Sequence, residues 1–343
     1  MIDNIKIYFP KTIFNGKDNC WKFERKINKY TNEYRYTKYT FSNSHSLVLH
    51  FNTNKKHITI MGSLRKWYLG KTSLVDLTSE QFMKVSSLLA NSLNMSLDEF
   101  NRGKITQCEI GLNIRTQTPP LEILPKIAAY KMFYRDDTYE SSGTLYFGSD
   151  NSNRKITIYD KCKEITDNYR GDRFNAVNKV HIALAKRNYH FLRLEVKLKN
   201  KKSFKDLGCN IEYFGDILPN WEKLYLLWLT EMGKLIVYHR IIESNDMLLD
   251  EYKVACMLNL DTYYNVMKKI KLYSRSKTSK GLKSMVLKER DFVRSVIYKF
   301  ADKSKYNNVA LKNDIEKSLY LILKKESLNL PLLYKTLYNA QNT

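Results

Sequence analysis

TLYFGSDNSNRKITIYDKCKE, residues 144–164, holds two short β-type runs, TLYFG (144–148) and KITIYDK (155–161), joined by the polar stretch SDNSNR (149–154). Side chains alternate across a strand, so in KITIYDK the pair Ile156 and Ile158 takes one face while Lys155, Thr157, Tyr159 and Lys161 take the other. Tyr159 is therefore displayed among cations instead of being packed with isoleucines. The same parity reads two further runs. In FLRLEVKL (191–198), Leu192, Leu194, Val196 and Leu198 form the apolar face, opposite Arg193, Glu195 and Lys197. In QCEIGLNI (107–114), Cys108, Ile110, Leu112 and Ile114 are apolar, opposite Gln107, Glu109, Gly111 and Asn113. Two carboxylates and one tyrosine thus come from strand faces turned away from the core.

Working outward, IKIYF (5–9), SLVLHF (46–51) and HITIM (57–61) read as half-buried strands. Thr78 with Gln81 is a capping-box signature, and Phe82, Val85, Leu89 and Leu93 follow at helical spacing, which predicts a helix over 79–95. TQCEIGLNI (106–114) is the next strand. Pro119 and Pro120 then open an amphipathic stretch through Ile123, Ile127 and Phe133, read as helix. The order repeats with strands at 144–148 and 155–161, a weak helix at about 172–188, a strand at 191–198 and a helix at 216–232. Gly-Ser occurs only at Gly62-Ser63 and Gly148-Ser149, and each glycine precedes a strand-borne glutamate, Glu109 or Glu195, by 47 residues. A degenerate duplication with an offset near 86 residues accounts for this interval; chance coincidence of a common dipeptide with a common residue is the alternative.

The expected fold is α+β. Two related ββαβα units, about 1–135 and 136–232, build a sheet domain over 1–232, with mixed or antiparallel strands, and an α-helical, basic C-terminal domain follows over 233–343.

Composition narrows the partners. Lys and Arg outnumber Asp and Glu by 58 to 35, a net charge of +23, which attracts polyanions and makes nucleic acid the first partner to test. No apolar run reaches 18 residues, and MIDNIKIYFPK lacks the regions of a secretory signal, so a soluble, cytoplasmic chain is expected with no membrane partner. The 5 cysteines are scattered without a CxxC pair, which argues against a disulfide framework or zinc module. Within 265–305, 13 Lys or Arg face 3 Asp or Glu, with Lys280 and Lys283 in the dense loop SRSKTSKGLKS (274–284). Such a run either contacts phosphates or forms a solvated helix surface.

Paired carboxylates in so basic a chain suit Mg²⁺ or Mn²⁺, which take oxygen ligands and share substrate phosphates. Glu109 and Glu195 either hold such an ion or pair with Arg193 and Lys197. A tyrosine hydroxyl such as that of Tyr159 can attack a DNA phosphodiester, which conserves the broken bond in a phosphotyrosine and frees a 3′-hydroxyl. A phenol needs help at neutral pH. Lys161 can lower its pKa and contact the attacked phosphate, and Glu164 can accept a proton or orient Lys161. In GSLRKWYLGK (62–71), Arg65 and Lys66 suit a sugar-phosphate backbone, and Trp67 either stacks on a base or plugs the core. Arg154 and Arg193 add cations from the strands around Tyr159. The 6 histidines contain no HxH pair, which leaves His50 and His57 as minor metal candidates. Tyr146 and Tyr169 are candidates for a second, strand-closing tyrosine.

Five stretches in one order carry a resemblance: MIDNIKIYFP, GSLRKWYLG (62–70), CEIGLNI (108–114), TLYFGSDNSNRKITIYDKCKE (144–164) and LRLEVKLKNKKSF (192–204). Through them, over roughly residues 1–215, the chain is similar to the gene II/X-type replication-associated proteins of filamentous phages and related plasmids. The resemblance implies a metal-dependent nickase that opens one strand at a replication origin and starts rolling-circle replication. Tyr159 is then the nucleophile, Lys161 its cationic partner, and Glu109 and Glu195 the metal ligands. A host helicase and polymerase are the implied partners. The chain departs from the pattern at Cys108-Glu109, where relatives often have an aspartate after Arg-Ile, and its C-terminal helices inherit no role. A non-catalytic origin-binding protein that recruits host replication enzymes is the competing reading.

Overall fold

A computed structural model describes residues 1–10, 21–26, 36–41, 46–52, 57–130, 133–134, 143–148, 153–168, 184, 187, 189–205, 208–274 and 279–326. Among the described residues, nine strands form one sheet in which every neighbouring pair is antiparallel. In chain order they are β1 (Ile2–Phe9), β2 (Trp21–Lys26), β3 (Tyr36–Phe41), β4 (Leu47–Asn52), β5 (His57–Ser63), β6 (Lys104–Thr116), β9 (Thr144–Phe147), β10 (Arg154–Asp160) and β11 (His190–Leu198). Their spatial order is β2-β3-β4-β5-β1-β6-β11-β10-β9. A second sheet joins β7 (Ile127–Tyr130), β8 (Phe133–Tyr134) and β12 (Leu235–Val237).

The parity of the two central strands decides which face is covered. Cys108, Ile110, Leu112 and Ile114 on β6 and Leu192, Leu194, Val196 and Leu198 on β11 are all buried in the main core. Each such aliphatic side chain contributes about 1.5–3 kcal/mol when fully buried. Helix α1 (Leu64–Leu69) continues directly from β5. The capping box forms as expected, with Gln81 N donating to Thr78 Oγ1 at 3.2 Å and Thr78 N donating to Gln81 Oε1 at 3.1 Å. It starts α2 (Ser79–Ser92), which buries Phe82, Val85 and Leu89.

Four sequence expectations need correction. The stretch from Ile123 to Phe133 is not one helix. It is the short α4 (Pro120–Ile123), which follows α3 (Leu97–Asn101), then a 3₁₀ turn Leu124–Lys126 and β7. Pro125 cannot donate in a helix interior, and Ile127–Tyr130 finds its backbone partners in β12 instead. The Gly-Ser interval does not mark equivalent positions either. Gly62 ends β5 and leads straight into α1, whereas Gly148 follows β9, one strand before the helix α5 (Lys161–Asn168). What the halves share is an order, hairpin then helix then strand, meeting at the seam between β6 and β11. The predicted helix near 172–188 and Tyr169 lie outside the described residues, apart from isolated positions.

The region after residue 233 is also less separate than its composition suggests. Helices α6 (Lys201–Lys205) and α7 (Trp221–Met232) precede it, and α8 (Leu249–Leu260), α9 (Tyr263–Ser274) and α10 (Ser279–Phe300) build a second core around Val266, Val293, Val296 and Ile297. The supposed loop 274–284 is helical from Ser279. The last described helix, α11 (Asn308–Lys325), returns to the main core with Leu311, Ile315, Leu319 and Leu323. Arg115 N on β6 donates to Ser318 Oγ at 3.0 Å, tying that helix to the sheet. Among the described residues no helix is long and apolar enough to cross a membrane.

Candidate active site

The register across β9, β10, β11 and β6 lays the polar face out in rows. Thr157 lies between Tyr146 and Glu195, and Glu195 pairs with Gly111. One row over, Tyr159 pairs with Arg193, which pairs with Asn113. On the other side, Lys155 pairs with Lys197 and Lys197 with Glu109. Strand β1 closes the arrangement from the far edge of β6. Its register against β6 slips between Ile2 and Ile5, and this irregularity brings Asp3 and Asn4 to the same cluster. Asp3, Glu109 and Glu195 each offer a carboxylate oxygen, all within 4.8 Å of one another and all buried.

Arg193 is the fork around which the carboxylates are set. It has no exposed surface. Its Nε donates to Glu195 Oε1 at 2.6 Å, its Nη1 to Asp76 Oδ1 at 2.9 Å and to Asn113 Oδ1 at 3.0 Å, and its Nη2 to Asp3 Oδ2. Asp76, from the loop between α1 and α2, also accepts from Asn113 N at 2.8 Å. Ser63 Oγ donates to Asp3 Oδ1 while it caps α1 by accepting from Lys66 N at 2.9 Å. Asn4 Nδ2 donates to Glu109 Oε1 at 2.8 Å, and the Tyr159 hydroxyl donates to Glu195 Oε1 at 2.9 Å. The guanidinium approaches the β6 backbone closely because position 111 is glycine, where a Cβ would stand 2.6 Å from Arg193 Nη2 and 2.9 Å from Glu195 Cγ. Gly111→Ala is therefore expected to displace both side chains and weaken divalent-cation binding at least about tenfold, since a shift of an ångström in a ligand set is costly; a Mn²⁺ titration of the folded variant measures it.

Charge and burial oppose each other here. Burial would raise the Asp3 carboxyl, but Arg193 and then Arg65 overcome it and hold the group well below the usual carboxylate range. Glu109 goes the other way. Burial, then the charges of Glu195 and Asp3, push it well above its ordinary value, and it shares a hydrogen bond with Glu195. Burial, followed by the Glu195 carboxylate, also raises the Tyr159 phenol. Burial, then the charge of Arg65, lowers Lys161 to about 8. Burial opposes ionisation of Glu164, yet Lys161 and Lys66 hold it below the usual range. An oxygen-only set of three carboxylates, one of which burial and its acidic neighbours push toward its neutral form, is a donor set that a hard divalent cation fits.

Tyr159, Lys161, Glu109 and Glu195, drawn from three strands and the start of α5, meet here as the parity suggests. Lys161 opens α5 instead of extending β10, and its Nζ donates to Glu164 Oε2 at 2.5 Å and stands 5.9 Å from the centre of the Tyr159 ring. Glu164 also accepts from Lys66 Nζ at 2.7 Å, so this carboxylate orients cations and its low pKa makes it a poor proton acceptor. The expectation that Lys161 lowers the Tyr159 pKa is reversed, because burial and Glu195 outweigh it. Arg65 and Arg193 do not lie on the protein surface, where the sequence reading placed them. Both are fully buried, because the clustered acids need internal counter-ions. Trp67 is partly buried and packs against the main core, and Arg154 faces Glu231 at 3.6 Å. Lys280 and Lys283 are on α10, but their side chains lie outside those described. His57 sits beside the Tyr8 ring at 5.1 Å, and neither it nor His50 joins the carboxylate cluster. Tyr146 carries Lys155 over its ring at 4.9 Å.

Parity alone misses Asp3, because it assigns that residue to the face of Ile5 and Ile7, and the slip in register re-aims it. The available signal was a carboxylate in phase with an otherwise apolar face, which is rarely tolerated without a partner. Asp76 and Ser63 come from a loop and a helix cap, whose direction no periodicity encodes.

Residues 1–216 match the protein family described as the N-terminal part of the phage replication-associated protein, the gene II protein. No curated protein matches the chain. Among solved structures, a rolling circle replication initiator protein from Geobacillus stearothermophilus is 12% identical, with a TM-score of 0.35, over 72% of this chain and 89% of that one.

Proposed function

Because the chain belongs to the gene II/X-type replication-associated protein family, we propose that it nicks one DNA strand at a replication origin through a tyrosine-linked intermediate and so starts rolling-circle replication. The observation that carries this reading is the hydrogen bond of 2.9 Å from the Tyr159 hydroxyl to Glu195, a member of the three-carboxylate cluster. Glu195 Oε1 accepts the phenolic proton as Tyr159 Oη attacks the phosphorus in line. The bond from phosphorus to the 3′-oxygen breaks, the 5′-phosphoryl group stays on Tyr159, and the freed 3′-hydroxyl primes a host polymerase. Lys161, held by Glu164, brings positive charge to the phosphate. A divalent cation, Mg²⁺ or Mn²⁺, when held by Asp3, Glu109 and Glu195, supplies Lewis-acid stabilisation of charge on the phosphoryl oxygens.

In this reading residues 1–232 carry the chemistry, as two related units that each contribute a glutamate, and the basic helices after 233 hold origin DNA for a host helicase in the bacterial cytoplasm. Supercoiled DNA bearing the element's origin, incubated with protein and Mn²⁺, should yield a nicked circle with protein on the new 5′ end, and peptide mass spectrometry should find the adduct on Tyr159. Tight origin binding without any nick would select the non-catalytic alternative.

The raised Glu109 pKa makes a separate prediction about the cation. A carboxylate that binds its proton more tightly than usual must release it when the ion enters, so Mn²⁺ affinity should weaken with falling pH over a range that begins above the ordinary glutamate value. Calorimetry in buffers of different ionisation enthalpy should detect proton release on Mn²⁺ binding that grows as the pH is lowered and is absent for Glu109→Gln.

A further inference from the structure

Arg65 has no exposed surface, and two of its nitrogens are satisfied: Nε donates to Asp3 Oδ2 at 3.2 Å and Nη1 to the Ser73 carbonyl at 2.9 Å. Its Nη2 is buried and has no hydrogen-bond partner among the described residues. An unpaired donor on a buried charged group is costly, and such groups in folded proteins are matched to a ligand or an ion. The neighbouring cation is Lys161, also without exposed surface, whose three-donor ammonium is held by Glu164 at 2.5 Å. Lys66, the residue after Arg65 on α1, shares Glu164 with Lys161, at 2.7 Å and 2.5 Å, so α1 and the start of α5 bring these cations together in a region of low dielectric, and the Arg65 charge disfavours that of Lys161. An oxyanion is the chemical group that relieves this repulsion and occupies Nη2 at once. Position says which anion. Lys161 Nζ is 5.9 Å from the Tyr159 ring, and Arg65 shares Asp3 with the carboxylate cluster, so the bound group would stand beside the phenol and next to the cation ligands.

We infer that Arg65 Nη2 and Lys161 Nζ form an oxyanion subsite that takes one phosphodiester group of the DNA strand. Its identification with the reacting phosphate rests on the proposed nicking reaction; the anion site itself does not. Arg65 thus does two things with one planar fork, neutralising Asp3 through Nε and presenting Nη2 to phosphate, which a lysine cannot do from a single ammonium.

Inorganic phosphate, titrated by calorimetry into metal-free, full-length Tyr159→Phe protein, tests the subsite without reference to nicking. One saturable site is expected. Arg65→Lys, which keeps the charge against Asp3, should weaken it about tenfold or more, and Lys161→Met should do the same. Lys84→Ala, at an exposed cation on α2, should leave it unchanged. Absence of a saturable site, or equal affinities in all four proteins, overturns the inference, because phosphate would then be responding to net charge alone. If Arg65→Lys does not fold, Lys161→Met against Lys84→Ala decides. In the Mn²⁺-dependent nicking assay, Arg65→Lys should lower kcat while the Mn²⁺ Kd is unchanged, a split that a merely structural role would not produce. Phosphate binding with no nicking by the parent would sink the proposed function and leave the subsite standing.

Discussion

Tyr159→Phe should abolish the covalent protein–DNA adduct and lower nicking by about 10⁴-fold or more, the scale on which removal of a sole nucleophile acts. The size follows from the layout of the sheet. Tyr146, on the same face, is two strands from Glu195 with Thr157 between them, and strands spaced about 4.8 Å apart put their backbones roughly 10 Å away from each other. Tyr159, one strand from Glu195, is the tyrosine that donates the 2.9 Å hydrogen bond to it. The substitution is mild for the fold, since the ring keeps its place and Glu195 keeps its 2.6 Å bond from Arg193. The lost hydrogen bond should cost about 0.5–1.5 kcal/mol in urea unfolding, and the Mn²⁺ Kd should stay within about twofold of the parent. A variant that still nicks within tenfold of the parent, or carries the adduct elsewhere, would remove Tyr159 from the reaction.

The chemistry-bearing residues were legible because a strand's period is two and does not depend on tertiary context. That rule put Tyr159, Glu195 and Glu109 on one face before any pairing was known, and the observed register sets them in adjoining rows. It failed where the backbone leaves the rule. The slip in β1 re-aims Asp3, and Pro125 turns an amphipathic stretch into a 3₁₀ turn followed by a strand. Arg65 and Arg193 illustrate a different limit. A cation in a basic chain looks like a DNA contact, but whether it faces solvent or neutralises a buried acid depends on which acids the fold delivers to it. Here Asp3 and Asp76 arrive from distant segments, 62 residues from Arg65 and 117 from Arg193 respectively. The partnership of α11 with the main core was invisible for the same reason: its apolar face is evident, but not what it covers.

Arg193→Met should destabilise the protein by about 3–5 kcal/mol at neutral pH, measured by urea unfolding, although methionine fills similar space. Three carboxylates, Asp3, Asp76 and Glu195, would lose their shared partner while remaining buried. Removing either member of an exposed pair such as Lys84 with Glu80 should change nothing measurable, because solvent already screens it. The pH dependence gives the sign. In the parent, Asp3 is held below its unfolded value despite burial, so it contributes stability that is present above the unfolded pKa and lost as pH falls toward the folded one. In the variant, burial is opposed by Arg65, the Ser63 hydrogen bond and Lys66 without Arg193, the strongest of the opposing influences, so the folded pKa of Asp3 rises and that contribution shrinks. The stability gap between the two proteins should therefore be widest near pH 7 and narrow steadily as the pH falls through the carboxylate range, closing only toward the very low folded pKa of Asp3 in the parent. Mn²⁺ should narrow the gap at pH 7, because an ion bound by Asp3, Glu109 and Glu195 replaces part of the missing positive charge and stabilises the folded state in proportion to its occupancy. A gap independent of pH and unaffected by Mn²⁺ would mean that Arg193 acts by packing alone, and that the carboxylates around it are not the charged cluster on which metal binding and attack by Tyr159 depend.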